Sequence, residues 1–154
     1  IYNHKPSFHR KKYAFESVDP LYVFGHGLSY SNFAYSDLKI AQEGNTKDAV
    51  IKLSVNLFNK SEGAGEEVVQ VYFRDEISAI TRPVKELVAY QRVFVEANAS
   101  ESVEFLIPLE ALSYFDADME TVVEAGDFTF MAGGSSSDKN LIKKTHFVEN
   151  DFQY

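Results

Sequence analysis

The sequence contains no cysteine, which excludes disulfide bonds and thiolate metal sites and leaves the redox compartment undecided. Tryptophan is also missing. This weakens the expectation of a sugar-binding surface, because such surfaces often use the flat faces of Trp. The chain does have nine tyrosines, which can replace Trp in such contacts. Composition alone therefore leaves a carbohydrate-binding module open as one class of function.

Two further absences concern membranes and nucleic acids. No run of apolar residues approaches the roughly 18 that a membrane-spanning helix needs. Basic residues are not in excess: 23 Asp and Glu against 15 Lys and Arg give a net charge of −8, which argues against an unspecific nucleic-acid surface. We therefore expect neither a membrane nor a nucleic acid as a partner. The sequence begins with Ile1 and shows no signal-peptide pattern, so we interpret it as a piece of a longer chain.

The length of 154 residues suits one domain with an extension, and 45% apolar with 25% charged residues is an ordinary globular balance. Residues 1–33 show no sustained period and contain a basic cluster, HRKKY. They are too rich in aromatic residues for a solvated flexible linker. We predict that residues 1–33 form an interdomain connector, extended and irregular, packed on a domain formed by residues 34–154.

The stretch PLYVFGHGLSY, residues 20–30, holds four aromatic or imidazole rings and two glycines but no formal charge. Aromatic residues are typical of strands, yet Gly25 and Gly27 would weaken a strand. We predict a segment that is neither helix nor strand, in which the glycines allow the backbone to turn where a Cβ would clash.

After residue 33 the sequence changes to short runs in which apolar and polar residues alternate, as in half-buried strands. The runs are AYSDLKIA, AVIKLSVNLFN, VVQVYFRD, KELVAYQRVFVEA, SVEFLIP, METVVEAG, DFTFMAGG and LIKKTHFVE. Three of them have these predicted core-facing residues: Ile51, Leu53, Val55 and Leu57; Val69, Val71 and Phe73; Leu87, Ala89, Val93 and Val95. Seven or eight short strands with turn signals between them indicate an all-β fold, an antiparallel β-sandwich. Only LEALSYFD, with Leu109 and Leu112 three apart, predicts a single helical turn.

Several carboxylates invite a catalytic or metal-binding interpretation. Asp116, Asp118 and Glu120 stand at alternate positions, as in a calcium loop or a paired acid/base site, but the glycine that an EF-hand needs at its sixth position is missing. We favour a solvated loop. The remaining acidic pairs flank the third strand, where adjacent side chains point to opposite faces and cannot converge on one substrate. We interpret these four residues as surface charge: Glu66, Glu67, Asp75 and Glu76.

The histidines and one serine give no further site. The four histidines have no metal-ligand spacing; they are His4, His9, His26 and His146. Ser29 in GHGLSY lacks the G-x-S-x-G pattern of a nucleophile elbow. We therefore assign no catalytic, cofactor-binding or metal-ligating residue to this sequence.

The motif TRPVKE offers Arg82, Lys85 and Glu86 around Pro83. An exposed Arg in a proline-fixed loop could anchor another domain through a bidentate pair, and the alternative is an ordinary loop with surface charges. Two N-glycosylation sequons are also present, and they matter only in a eukaryotic secretory source. They are Asn59-Lys60-Ser61 and Asn98-Ala99-Ser100.

Several segments, in order, resemble one family. YNHKPS followed by PLYVFGHGLSYSNFAYSDLKI resembles the passage that leads into the C-terminal domain of glycoside hydrolase family 3 enzymes. AGEEVVQVYFRD, TRPVKELVAYQRVFV and LSYFDADMETVVEAGDFTFMAGGSS resemble the successive strands of that domain. The resemblance implies a fibronectin type III-like sandwich, of the immunoglobulin-like class, in a β-glucosidase- or β-xylosidase-type enzyme. It also implies that the catalytic carboxylates lie in upstream domains, so that none is carried over to this sequence.

The resemblance also implies a role for the glycine-rich stretch. It would be the join between the preceding domain and the sandwich, with its rings buried between them, and His26 would form a hydrogen bond across the join in preference to a ligand contact. The expected partners are the upstream catalytic domains of the same polypeptide and, as a second candidate, an oligo- or polysaccharide. Relatives of this kind favour secretion or a periplasmic location. The candidate interdomain contact residues are Tyr22, Phe24, Gly25, His26, Gly27, Leu28, Tyr30, Arg82 and Glu86.

Three functions compete at this stage. The favoured one is a non-catalytic accessory domain that stabilises a multidomain family 3 glycoside hydrolase and shapes access of the substrate. The second is a carbohydrate-binding module, which needs two or three exposed and coplanar aromatic faces. The third is a protein-interaction module of the fibronectin type III type, and it rests on fold analogy alone.

Overall fold

The computed structural model describes residues 22–76 and 84–154. These residues form ten β-strands and one turn of 3-10 helix, and none of them belongs to a helix that is long and apolar enough to cross a membrane. The elements in chain order are β1 (Phe33–Glu43), β2 (Val50–Asn59), β3 (Gly65–Asp75), β4 (Glu86–Val95), β5 (Ser100–Pro108), the 3-10 turn (Leu109–Leu112), β6 (Tyr114–Phe115), β7 (Thr121–Val123), β8 (Gly126–Gly133), β9 (Ile142–Val148) and β10 (Phe152–Gln153).

The strands form two main sheets and one small sheet, and every strand pair is antiparallel. The main sheets have the orders β1-β2-β5 and β4-β3-β8-β9, and the small sheet has the order β10-β7-β6. One apolar core joins the two main sheets, which makes the predicted all-β antiparallel sandwich. The eight predicted strands and the single helical turn are confirmed. The sequence pattern does not predict β6 and β10, because each has only two residues.

The core is built by alternation along each strand. In β2 the four predicted core residues are completely buried. They meet apolar residues of the facing sheet, where the ring of Phe73 lies 6.4 Å from that of Phe128 and 6.5 Å from that of Phe130. The buried residues that face each other across the sandwich include Ile51, Leu53, Val55, Leu57, Val69, Val71 and Ala132.

One predicted core residue is wrong. In the pairing of β3 with β4, Val71 lies opposite Ala89 but Tyr72 lies opposite Leu87, so that Val88 is an extra residue in β4. A β-bulge of this kind reverses the facing of the residues beyond it. Leu87 therefore packs on the outer face of the sheet, whereas Ala89 packs on the core.

The outer face of the four-stranded sheet carries a second apolar cluster. Tyr72, Met131 and Leu141 are buried there, and Leu87 packs against them. A sheet in a sandwich normally leaves its outer face to solvent. Burial on this side therefore requires a cover, and the segment before β1 supplies part of it.

We expect Leu53→Ala to lower the free energy of unfolding by about 2–5 kcal/mol, because it leaves a cavity in a completely buried part of the core. Leu106→Ala is the matched control, since Leu106 lies on the neighbouring strand with 68% of its surface exposed. Its expected effect is about 0.5 kcal/mol or less. Urea unfolding measures both, and equal losses would contradict the assigned strand facing.

Candidate interdomain contact site

The join segment, residues 22–32, crosses the outer face of the four-stranded sheet without regular structure. The N–H of His26 donates to the carbonyl of Val23 at 3.1 Å and closes a turn. The carbonyl of Phe24, within this turn, accepts a hydrogen bond from the N–H of Ser136 at 2.9 Å. The backbone of the segment is thus tied to the loop that follows β8.

The side chain of Gln70 is the centre of this contact. Its Nε2 donates to the carbonyl of Gly134 at 2.8 Å and to that of Gly25 at 3.2 Å, and its Oε1 accepts from the hydroxyl of Tyr72. Only 7% of the surface of Gln70 is exposed. Burial of an amide destabilises the fold unless its polar atoms form hydrogen bonds, and those of Gln70 do. The ring of Phe24 packs edge-on against that of Tyr72, with the centroids 6.4 Å apart.

Gly25 is required by this geometry. Its φ of +74° is a left-handed conformation, and a Cβ at this position would lie 2.0 Å from Oε1 of Gln70. At Gly27, in contrast, a Cβ would meet no atom within 4 Å among the described residues. The steric reason that the sequence suggested for both glycines therefore applies to Gly25, and for Gly27 it stays a prediction.

A second anchor fixes the other end of the join segment. The N–H of Asn32 donates to Oγ of Ser61 at 2.7 Å, and the carbonyl of Asn32 accepts from the N–H of Lys60 at 2.8 Å. Ser31 packs so closely on β3 that a Cβ on Gly65 would lie 2.2 Å from its Oγ. The segment is thus held at both ends.

Between and before these anchors, the large side chains of the segment are exposed. Leu28 and Tyr30 are almost completely open to solvent, and Tyr22 is 69% exposed. The rings of Tyr22 and His26 pair with each other, their centroids 5.2 Å apart. We predict from the sequence that a preceding domain covers these side chains, and this stays a prediction.

The loop after β8 and the motif TRPVKE meet at the same place. Nζ of Lys85 donates to the carbonyl of Ser136 at 2.8 Å and lies 3.1 Å from Oδ1 of Asp138. Nζ of Lys143 lies 2.8 Å from the same oxygen. The hydrogen bond from Lys143, with Lys85 beside it, lowers the pKa of the Asp138 carboxyl despite some burial. Lys85 and Lys143 therefore converge on the loop after β8, and the N–H of Ser136 in this loop binds the join segment.

The motif also contains two candidate contact residues, Arg82 and Glu86. Arg82 lies outside the described residues. Glu86 is half-buried at the start of β4, opposite Phe73 in the strand register. An interdomain role for these two residues stays a prediction.

Sequence reasoning misses the residues that hold the segment from below. Gln70 and Tyr72 occupy outward-facing positions of a strand, and Ser136 contributes only its backbone N–H. One signal was present: VVQVYF in β3 has Val68 and Tyr72 at outward positions in addition to its apolar inward residues, which is typical of a strand that is covered on both faces.

The acidic loop has a structural role. Oδ1 of Asp116 accepts hydrogen bonds from the N–H groups of Asp118 and Glu120, both at 2.9 Å, and so closes the tip between β6 and β7. Among the described residues, no group of three or more His, Asp or Glu side chains is arranged to hold a metal ion. On the third strand, Glu66 lies 3.4 Å from Arg92, an exposed ion pair.

Glu67 is different from its neighbours because it is half-buried near the join. Its Oε1 accepts from the N–H of Val68 at 2.9 Å, and it lies 3.1 Å from the position of a Cβ on Gly134. Burial raises the pKa of this carboxyl, although the hydrogen bond from Val68 acts in the opposite direction. Burial and the nearby Glu67 also raise the pKa of the Tyr35 hydroxyl, which has no hydrogen-bond partner among the described residues.

His146 and Ser29 each have a local hydrogen-bond partner. Nε2 of His146 lies 3.0 Å from Oε1 of Gln42, and burial lowers the pKa of the imidazole. Ser29 accepts a hydrogen bond on its Oγ from the N–H of Ser31, a local turn contact. His4 and His9 fall outside the described residues.

The two sequons have different surroundings. Asn59 is completely buried, and its Nδ2 donates to the carbonyls of Gly63 and Val95 at 2.9 and 3.1 Å. Asn98 lies in an exposed turn with a φ of +53°. Asn59 is therefore a structural residue of the folded domain, and only Asn98 presents its side chain to solvent.

We expect Gly25→Ala to loosen the join segment, because the new Cβ would displace the Gln70 amide and would strain a left-handed backbone by about 1–2 kcal/mol. The readout is hydrogen exchange of the Ser136 N–H, which donates to Phe24 and should exchange faster in the variant. Gly27→Ala is the matched control. Equal exchange rates in the two variants would contradict the assigned role of Gly25.

We expect Glu67→Gln to stabilise the domain increasingly as the pH rises from 4.5, the ordinary pKa of the carboxyl, to neutrality. The raised pKa means that the folded chain holds this proton more tightly than the unfolded chain, so ionisation at higher pH costs stability. Glutamine keeps the acceptor for the Val68 N–H but does not titrate. The measurement is the free energy of unfolding of both proteins across this pH range. A difference between variant and wild type that stays constant or decreases as the pH rises would contradict the raised pKa of Glu67.

Comparison with known proteins places this fold in a family. Residues 67–136 match the model of the fibronectin type III-like domain. A protein of Formosa agariphila assigned provisionally as a β-xylosidase is 41% identical over 95% of this chain and 19% of its own length. Thermostable β-glucosidase B of Acetivibrio thermocellus is 35% identical over 82% of this chain and 17% of its own.

Solved structures of β-glucosidases contain a domain with the same fold as this chain. A β-glucosidase involved in saponin metabolism from intestinal bacteria superposes with a TM-score of 0.88 at 33% identity, over 96% of this chain and 20% of that one. β-Glucosidase 3B from Thermotoga neapolitana gives a TM-score of 0.79 at 34% identity, over 89% of this chain and 18% of that one. The chain thus spans about a fifth of the length of these relatives. It belongs to the fibronectin type III-like domains of glycoside hydrolase family 3 enzymes, as the sequence resemblance predicted.

Proposed function

We propose that this chain is a non-catalytic accessory domain of a longer β-glucosidase-type enzyme, which hydrolyses β-glycosidic bonds with residues of its other domains. The observation that carries the proposal is the join segment. Its backbone is fixed on the sandwich at both ends, while Tyr22, Leu28 and Tyr30 point into solvent. We infer that these side chains are buried by the preceding domains of the same polypeptide.

The energetics support a stabilising role. A large apolar side chain that passes from water into an interface contributes about 1.5–3 kcal/mol. Association also costs entropy when a flexible chain must be ordered, but the anchors at Gly25 and Asn32 hold the backbone in place beforehand. A fixed segment that presents exposed apolar side chains is therefore well suited to join two domains.

The carboxylates also support a non-catalytic role. A retaining glycosidase needs two carboxyl groups about 5–5.5 Å apart on either side of the scissile bond. Here the side chain of Asp116 is occupied by two backbone N–H groups, and that of Asp138 by two lysines. Glu66 faces Arg92. The carboxylates of these three residues thus have partners within the domain.

We expect the isolated chain to release no aryl group from aryl-β-glucosides, because the catalytic carboxylates of the parent lie in other domains. The longer polypeptide should turn the same substrates over. Enzyme-like turnover by the isolated chain would contradict the proposal.

We also expect the double substitution Leu28→Ser with Tyr30→Ser to act only in the longer polypeptide. Both side chains are exposed in the isolated chain, where the change in stability should be about 0.5 kcal/mol or less. In the longer polypeptide the thermal midpoint should fall by several degrees, because buried contacts are lost. If the substitutions left the thermal midpoint of the longer polypeptide unchanged, a role of the join segment in domain contact would be contradicted.

A further inference from the structure

We propose that the docking face extends beyond the join segment onto β4, where Tyr90 and Phe94 contact the preceding domain of the same polypeptide. This inference rests on the proposed function and adds the residues that complete the surface. Sequence reasoning assigned neither residue to a site, although the alternation in this strand places both on the face opposite to the core-facing Val93 and Val95.

The strand register places these two rings beside the join segment. Gln70, on which Gly25 rests, is paired with Tyr90, and Glu66 is paired with Phe94. Paired residues of neighbouring antiparallel strands lie only about 4.5–5.5 Å apart. The segment therefore runs over β3 while the rings of β4 stand one strand away, on the same outer face.

The segment leaves the outer face toward its second anchor. Ser31 approaches the Cβ position of Gly65 closely, and Gly65 is paired with Val95, which is buried in the core, so this contact lies on the core side of β3. The contact of the segment with the outer face is therefore at Gln70, the residue that is paired with Tyr90. β4 borders β3 there as an edge strand of its sheet.

Exposure of large apolar side chains is concentrated on this face. Tyr90 is 71% and Phe94 55% exposed. Among the described residues, eleven large apolar side chains are exposed, and six of them lie on the segment or on adjacent β4. These six are Tyr22, Phe24, Leu28, Tyr30, Tyr90 and Phe94. A monomeric protein rarely leaves such a group of apolar residues open, and patches of this kind mark interaction sites.

The polar surroundings also fit an interface between proteins. Arg92 stands between the two rings on β4, and its guanidinium lies 3.4 Å from the carboxylate of Glu66. Aromatic residues and Arg are enriched in protein interfaces, and an exposed ion pair at the rim can orient a partner.

The identity of the partner follows from the relatives and from the path of the chain. The relatives in which this domain occurs are about five times as long as this chain, which occupies 19% of one and 17% of another. Tyr22, the first described residue, lies on the segment that crosses this face. A domain that precedes this chain in the polypeptide would be tethered through the segment that crosses the outer face beside Tyr90, which raises its effective concentration at this face.

Hydroxyl-radical footprinting of the isolated chain and of the longer polypeptide tests the inference. We expect Tyr90 and Phe94 to be oxidised several-fold more slowly in the longer polypeptide. Leu106 and Phe115 are the matched controls, because they are comparably exposed but lie on other parts of the domain. Their oxidation rates should be the same in both proteins.

The outcomes separate this inference from the proposed function. Slower oxidation of Tyr22, Leu28 and Tyr30 without any change at Tyr90 and Phe94 would overturn the inference and leave the proposed function intact. No protection at any of the five would overturn both.

A third outcome concerns sugars, for which exposed aromatic faces are also suited. Glucan or xylan fragments could slow the oxidation of Tyr90 and Phe94 in the isolated chain. If the two residues were also oxidised equally fast in the isolated chain and in the longer polypeptide without sugar, the surface would be a carbohydrate-binding one instead.

As a second measurement, Tyr90→Ser with Phe94→Ser should lower the thermal midpoint of the longer polypeptide but not that of the isolated chain. Phe115→Ser should leave both midpoints unchanged, and equal losses in the two proteins would also overturn the inference.

Discussion

The buried amide of Gln70 is the interaction on which the architecture of this domain depends. It stands on the outer face of a sheet, where a sandwich normally meets water, and it binds the join segment, the loop after β8 and Tyr72 at once. An amide without partners would be costly to bury, so the three contacts must form together. Both loops are therefore fixed to the sheet by one side chain.

A consequence of this cover is that β3 is buried on both faces. Its inward residues belong to the main core, and Tyr72 on its outward side belongs to the second cluster with Met131 and Leu141. The described residues therefore form two apolar layers, and the larger one, with nineteen buried residues, is the core between the two main sheets. The join segment packs on this second layer through the rings of Phe24 and Tyr72, so the segment and the outer face of the sheet are in direct contact.

The sequence predicts the strands and the main core well because the period of two is a direct result of strand geometry. Leu87 was misassigned because a bulge adds one residue without any change in composition. The contacts of Phe24 and Ser136 could not be predicted at all, since they join backbone groups that every residue possesses. Gly25 could be recognised as special, but the reason, a left-handed turn against Gln70, requires the three-dimensional arrangement.

The same reasoning explains why the segment combines fixed backbone with exposed side chains. Gln70 and Ser136 donate hydrogen bonds to carbonyls of the segment, and Ser61 accepts one from the N–H of Asn32. All three use only the main chain of the segment, so they place no demand on its side chains. The side chains of Leu28 and Tyr30 are therefore free to serve a surface outside the domain. If the sandwich alone were the selected unit, polar residues at these positions would be equally compatible with the anchors. Apolar residues at these positions are what the proposed contact with a preceding domain requires, because that contact would remove them from water.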